Sequence, residues 1–367
     1  MTTPRAAHRW LYAGPALVVL HLLLLALLHA RPGLPAVVLW HAGPAALTVV
    51  AILVMAYGVY QSTRCPVAWT RGPVAGYACL LAVTLMPVVA YRTYPSSRDG
   101  RPSDVRFRLP LDGPVLVRWG GATREVNYHV FAPAERWAYD LYVTNDGRTH
   151  RTDGADVSDY FGYGQPVLAP AAGTVRALID GLPDTPIGGR VKWQNSCGNH
   201  VLIDVAPGEF LFLCHLIAGS VVVRTGEAVL AGQEVGRLGN SGRSREPHVH
   251  VHLQTTPDAN LSEGIPLFFH EYRYDDAIVE RGMPTGGRSP QIVEHAGSPG
   301  RPAARAGRSG LPHAARGQTY EGPRYVRRQH APIAQAFRPA HRPGFNAPAT
   351  RRALTRALRD ASRRRRR

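Results

Sequence analysis

Hydrophobic positions along this chain fall into two regimes. Leu11 to Ala30, Leu34 to Tyr60 and Val74 to Tyr91 are long runs with almost no charge, each about long enough to cross a roughly 30 Å hydrocarbon core as a helix. Three transmembrane helices are therefore expected in a membrane region over residues 1–95. From about Ser103 to Tyr274 the pattern changes to short alternating stretches. Val105-Arg106-Phe107-Arg108-Leu109 and Val115-Leu116-Val117-Arg118-Trp119 alternate, and His200 to Cys214 reads as two strands broken at Pro207-Gly208. Gly164 to Val175 and Arg224 to Gly236 each carry a strand-turn-strand rhythm. No stretch here holds a long 3.6-residue apolar period, so a soluble, mostly β domain is expected over residues 100–280 rather than a helical or doubly wound fold.

Basic residues set the expected orientation. Arg5 and Arg9 precede the first run and Arg64 and Arg71 separate the second from the third, whereas Arg31 stands alone in the first loop. That bias places the N-terminus inside, and three spans then put the soluble domain on the extracytoplasmic side of the cell membrane. Arg92, Arg98 and Arg101 pull the other way. The first run has no clean small-residue cleavage site and two more follow it, so it is expected to be a retained anchor in contact with membrane lipid. None of the three runs carries an ionisable pathway of the kind transport requires.

One alternating stretch is chemically unusual. Pro247-His248-Val249-His250-Val251-His252 directly follows the glycine-rich Gly236-Arg237-Leu238-Gly239-Asn240-Ser241-Gly242. On a strand, the two-residue period puts all three imidazoles on one face and the valines on the other. Such a face suits a shared metal or a scissile bond; a solvated strand face is the plainer alternative.

The net charge is +17, from 43 basic and 26 acidic residues, and Lys192 is the only lysine. Much of the excess lies beyond Gly286, in a Pro, Gly, Ala, Arg and His stretch that ends in Arg363 to Arg367. With few aliphatics it cannot build a core, so residues 285–367 are expected to form a disordered basic tail. Its charge suits contact with anionic lipid or polymer. It has no recognisable nucleic-acid module, and specific nucleic-acid binding is not expected. Of the four cysteines, Cys197 and Cys214 flank one segment. In an oxidising compartment they could pair across neighbouring strands; two buried free thiols are the other reading, and Cys214 as a fourth zinc ligand beside His215 would close a site toward a structural role.

Taken in order, Asp140-Leu141, Gly198-Asn199-His200-Val201-Leu202-Ile203-Asp204, Cys214-His215-Leu216, Gly226 to Gly236, Gly239-Asn240-Ser241-Gly242 and Pro247-His248-Val249-His250 resemble the core of the lysostaphin-like (LytM-type) zinc metallopeptidases. The resemblance covers about residues 125 to 255. It implies a small antiparallel β-sheet domain, a Zn2+ cofactor, and cleavage of peptide cross-links in peptidoglycan. It also implies that Asp140 and His250 ligate zinc while His215 and His248 flank the attacked carbonyl. Chemically, two imidazoles and one carboxylate leave an open position on zinc for water, which the ion acidifies toward neutrality. His248 and His215 would then divide proton acceptance and oxyanion stabilisation between them. His252, where the family often carries a carboxylate, would orient the metal-site histidines or lie at the rim.

One departure stands out. The family's first histidine ligand lies four residues before the aspartate, and here that residue is Arg136, which cannot ligate. His129, in Asn127-Tyr128-His129-Val130, is the expected replacement, with His200 a second choice. Arg136 would anchor a substrate carboxylate or form an ion pair near Asp140. Without a substitute ligand, the domain would instead be a catalytically inactive relative that binds cell wall or regulates other hydrolases.

Overall fold

The computed structural model describes residues 10–31, 33–64, 71–85, 93–189 and 195–298. Three helices come first: α1 Ala13–His29, α2 Leu34–Arg64 and α3 Arg71–Leu85. Leu17, Ala51 and Leu80 form their inner contact, while Val19, Leu23, Ile52, Leu53, Val59 and Leu81 face outward and exposed. That is the reverse of a water-soluble bundle. Glycine permits the close approach, since a Cβ on Gly58 would come within 3.0 Å of the Tyr77 ring. Trp10–His29 and Leu34–Arg64 are long and apolar enough to cross a membrane. The third helix has 15 described residues, and the remainder of the expected third span, to Tyr91, lies outside the described residues. Among the described residues the candidate spans are therefore two, and the third expected run is described only in part.

Twelve strands follow among the described residues: β1 Val115–Trp119, β2 Tyr139–Val143, β3 Pro166–Leu168, β4 Gly173–Ile179, β5 Asn199–Ala206, β6 Glu209–Leu216, β7 Ala228–Val229, β8 Glu234–Arg237, β9 Val249–Gln254, β10 Phe269–Tyr274, β11 Ala277–Gly282 and β12 Ile292–His295. Ten form one sheet in the order β11-β10-β12-β1-β2-β9-β6-β5-β4-β7, and β3 pairs with β8 in a second, two-stranded sheet. The strand pairings are antiparallel. With the helices counted, the described chain is a mixed α and β structure built on an antiparallel sheet.

Alternation explains the central strands. Val115, Val117, Leu141, Val201, Ile203, Leu211, Leu213, Val249, Val251 and Leu253 all enter one buried cluster, each contributing about 1.5–3 kcal/mol by leaving water. The β5–β6 hairpin turns at Pro207-Gly208, where Gly208 has φ 72.

Two expectations need correction. Val105 to Leu109 alternates and buries Phe107 and Leu109, but makes only an isolated bridge from Phe107 to Phe269; its apolar side chains fill the core without a ladder. The basic tail was expected to begin at 285. Instead, Gly286 N–H donates to Gly120 O, Gly287 N–H donates to Arg118 O, and β12 pairs with both β1 and β10. A short strand supplied with two open edges stays ordered despite its polar flanks. The tail proper, from 299, lies outside the described residues.

Candidate metal centre

The site grows from the register of three strands. β9 lies between β2 and β6, so that Asp140 and Cys214 stand opposite His250 on either side. Residues directly opposite share a face. Asp140 therefore meets the histidine face of β9, while Val249, Val251 and Leu253 point into the core. The face is not solvated: His248, His250, His252 and Gln254 are only 6%, 6%, 4% and 0% exposed. Tyr142 stacks on His248 at 4.9 Å and Phe212 on His252 at 4.8 Å. The 3-10 turn Tyr128–Phe131 contributes a buried His129.

Three imidazoles converge on one carboxylate oxygen. Asp140 Oδ1 lies 2.9 Å from His250 Nδ1, 3.5 Å from His248 Nε2 and 3.6 Å from His129 Nε2. One donor atom each from His129, Asp140 and His250 lie within 4.8 Å of one another.

Hydrogen bonds around the rings fix which nitrogen faces the centre. Asn127 donates its amide to Gly121 O and Ala138 O, so its Oδ1 accepts from His129 Nδ1 at 2.9 Å; the His129 Nε2 lone pair is left toward Asp140. His215 Nδ1 donates to Ser241 O at 2.8 Å and His248 Nδ1 to Glu246 O at 2.7 Å, which leaves both Nε2 atoms as acceptors. Gln254 Nε2 donates to Thr256 O, its Oε1 accepts from His252 Nε2, and His252 Nδ1 accepts from His250 Nε2. This chain turns His250 Nδ1 toward the carboxylate. His252 thus touches His250 directly.

Burial and charge set the protonation states. Burial alone would raise Asp140, but the imidazoles of His129, His248 and His250 packed around its carboxylate hold it well below the usual carboxylate range. Burial brings His129 down to about 3 against the pull of Asp140, and brings His252 down to about 3 with help from His250. Burial, then His248 and His250, pushes His215 well below an ordinary imidazole. His250 moves the other way: burial lowers it, but the hydrogen bond and charge of Asp140 leave it raised.

His215, one residue before the end of β6, lies in the left-handed region at φ 68, a conformation uncommon for a non-glycine residue. Its N–H donates to Cys197 O at 2.9 Å, and its ring lies 4.7 Å from that of His248. A Cβ on Gly242 would run into the backbone of Gly198, so glycine is required where these loops meet to carry Ser241 to His215. Cys197 and Cys214 form a disulfide, Cα–Cα 5.0 Å, which settles the open alternative in favour of pairing. Cys214, His250 and His252 also form a compact group, but the Cys214 sulfur is bonded to Cys197.

The remaining expectations separate cleanly. His129 joins the cluster; His200 instead packs beside Phe212 and bonds Gly198 O. Arg136 is buried, and its guanidinium donates to Tyr94 O and Ala122 O and lies 3.9 Å from Asp99, so its ionic partner is not Asp140. Sequence reading missed Asn127 and Gln254. Gln254 continues the two-residue period of the histidines, and Asn127 is a capping residue type at the start of the His129 turn.

The donor set fits a zinc ion. Two bonds of about 2.1 Å at a tetrahedral angle separate their donors by about 3.4 Å, close to the 3.6 Å between His129 Nε2 and Asp140 Oδ1. Two imidazoles and a carboxylate are borderline-to-hard donors that zinc accepts.

Residues 151–260 match Peptidase family M23. This is an M23 peptidase domain. The match contains His215, His248, His250 and His252, while His129 and Asp140 lie just upstream. Among solved structures, the catalytic domain of a prophage-encoded M23 protein from Enterococcus faecalis is similar at 23% identity, covering 43% of this chain and 94% of that one, TM-score 0.27. The catalytic domain of lysostaphin from Staphylococcus simulans is 18% identical, with coverages of 41% and 86% and TM-score 0.25. A peptidase M23 protein from Pseudomonas aeruginosa is 22% identical, with coverages of 41% and 46% and TM-score 0.25; the chain spans under half the length of that protein. No curated protein matches the chain. The chain therefore combines a family-matched histidine strand with a His/Asp/His cluster of the kind that binds zinc in metallopeptidases.

Proposed function

We propose that the chain is a membrane-anchored zinc endopeptidase of the lysostaphin-like type that cuts peptide cross-links of peptidoglycan on the extracytoplasmic side of the cell membrane. The observation that carries this reading is the convergence of His129 and His250 on the buried carboxylate of Asp140, with two further histidines beside it. His129, Asp140 and His250 would hold the ion. When bound, zinc supplies Lewis acidity that polarises an amide carbonyl and makes water a nucleophile near neutral pH.

The chain's own residues do the rest. His248 Nε2, an acceptor because Nδ1 is committed to Glu246 O, takes the proton that water releases as its oxygen adds to the carbonyl carbon. His215 Nε2, an acceptor for the parallel reason, accepts a hydrogen bond from the attacking water and orients it; His248 then gives its proton to the amine nitrogen as the C–N bond breaks, and the second water proton leaves with ionisation of the new carboxylic acid. Burial keeps both rings oriented and water excluded from their flanks. The disulfide supports the extracytoplasmic placement, and the two apolar helices support anchoring.

The test is hydrolysis of cross-linked muropeptides by the full chain in detergent. His215→Ala and His248→Ala are expected to keep zinc and lose about 10²–10⁴ in kcat. Wild-type protein that carries zinc and cuts other peptides but leaves muropeptides intact would overturn the assigned substrate.

A further inference from the structure

The segment that leaves the helices is built into the site. Tyr94 is fully buried, and its ring packs among Leu28, Ala36, Val37 and Trp40 of α1 and α2, edge-on to Trp40 at 5.3 Å. Its hydroxyl donates to Glu263 Oε1 at 2.8 Å. Its N–H donates to Val130 O at 2.8 Å, and its carbonyl accepts from Arg136 Nε at 3.1 Å. One residue thus binds the helices with its ring, the β domain with its hydroxyl, and both ends of the segment from Val130 to Arg136 with its backbone.

The other side of that segment is held as firmly. Glu263, 3% exposed, also accepts from Ser96 Oγ, Ser97 N–H and Ser97 Oγ. Its neighbour Gly264 donates to Pro133 O at 2.7 Å, and a Cβ on Gly264 would meet Ala134 O at 2.8 Å. Arg136 Nη1 holds Ala122 O, next to the Gly121 carbonyl that accepts from Asn127, the residue that orients His129. Arg136 occupies the position where the resemblance leads one to expect the first ligand. The residue that displaced that ligand ties the substitute, His129, to the anchor.

We infer that Tyr94, with Arg136 and Glu263, is a positioning clasp through which the docked helices set the place of His129, so that zinc affinity depends on the contact between the helices and the β domain. This rests on the zinc-site reading above. Removing a buried partner that orients a ligand typically costs 10–100-fold in metal affinity, and the clasp acts on the one ligand that a short 3-10 turn, rather than the sheet, presents.

The test is zinc affinity of the full chain in detergent micelles, by competition with a chromophoric chelator, alongside thermal unfolding. Tyr94→Ala is expected to bind zinc at least about tenfold more weakly. Tyr94→Phe, which keeps the ring but loses the hydrogen bond to Glu263, should weaken zinc binding by less than Tyr94→Ala does. Val229→Ala, a core truncation at the far edge of the sheet, should lower the unfolding temperature without changing zinc affinity. Tyr94→Ala binding zinc as wild type does, or losing affinity only in proportion to Tm as Val229→Ala does, overturns the clasp. Should Tyr94→Ala fail to fold, Arg136→Gln decides in its place: weakened zinc supports the clasp and wild-type affinity overturns it. Folded wild type that takes up no zinc defeats the underlying site reading instead, and His129→Ala separates the two, since it must lose zinc whether or not the clasp exists.

Discussion

At the scale of single residues, the centre depends on imidazoles kept neutral by burial. His129 and His252 sit at about 3 against an ordinary 6.5, and His215 is lowered as well. In the unfolded chain these groups bind protons below about pH 6.5, while in the folded chain they do not until near pH 3, so the unfolded state holds more protons across that window. Chelator-treated protein is therefore expected to lose stability steadily from about pH 6.5 to 3. Asp140, held low, adds to the loss below its unfolded value, and the raised His250 contributes oppositely, above 6.5. Urea midpoints across this range check the sign, and midpoints that rise on acidification would contradict it. His248 and His250 were legible because a two-residue period needs no long-range information. His129 was reached only by elimination: its approach to Asp140 depends on a local turn capped by Asn127, which carries no periodic signal.

At the scale of elements, the alternation that defines β5, β6 and β9 also fixes the site, because register alone brings Asp140 and Cys214 to His250. The hairpin at Pro207-Gly208 and the strand-turn-strand units were readable from turn residues. The order of β12 was not, since its stability comes from the edges of β1 and β10 rather than its own composition. The Cys197–Cys214 bond spans a sequence separation of 17, for which loop-closure entropy gives about 3 kcal/mol. Cys197→Ser is expected to destabilise the protein by about that amount and, because Cys197 O accepts from the His215 N–H, to lower turnover more than zinc content. Denaturant unfolding and metal analysis of the same sample check both; unchanged stability would contradict the argument.

At the scale of the whole molecule, sequence described an anchor, a β domain and a basic tail in series, and the structure joins the first two. The apolar runs announce the helices through composition, but the docking of Tyr94 onto Glu263 links residues 169 apart in the chain, and neither stands out locally. Arg136 looked like the loss of a ligand and is instead part of the joint. The central claim is that His129, Asp140 and His250 form one zinc site within this anchored chain. The most direct measurement is zinc per chain in the purified full-length protein, for wild type, His129→Ala, Asp140→Asn and His250→Ala. The account predicts close to one zinc in the wild type and near-complete loss in each folded variant. Full zinc in His129→Ala, or a folded wild type that takes up none when metal is supplied, would contradict it.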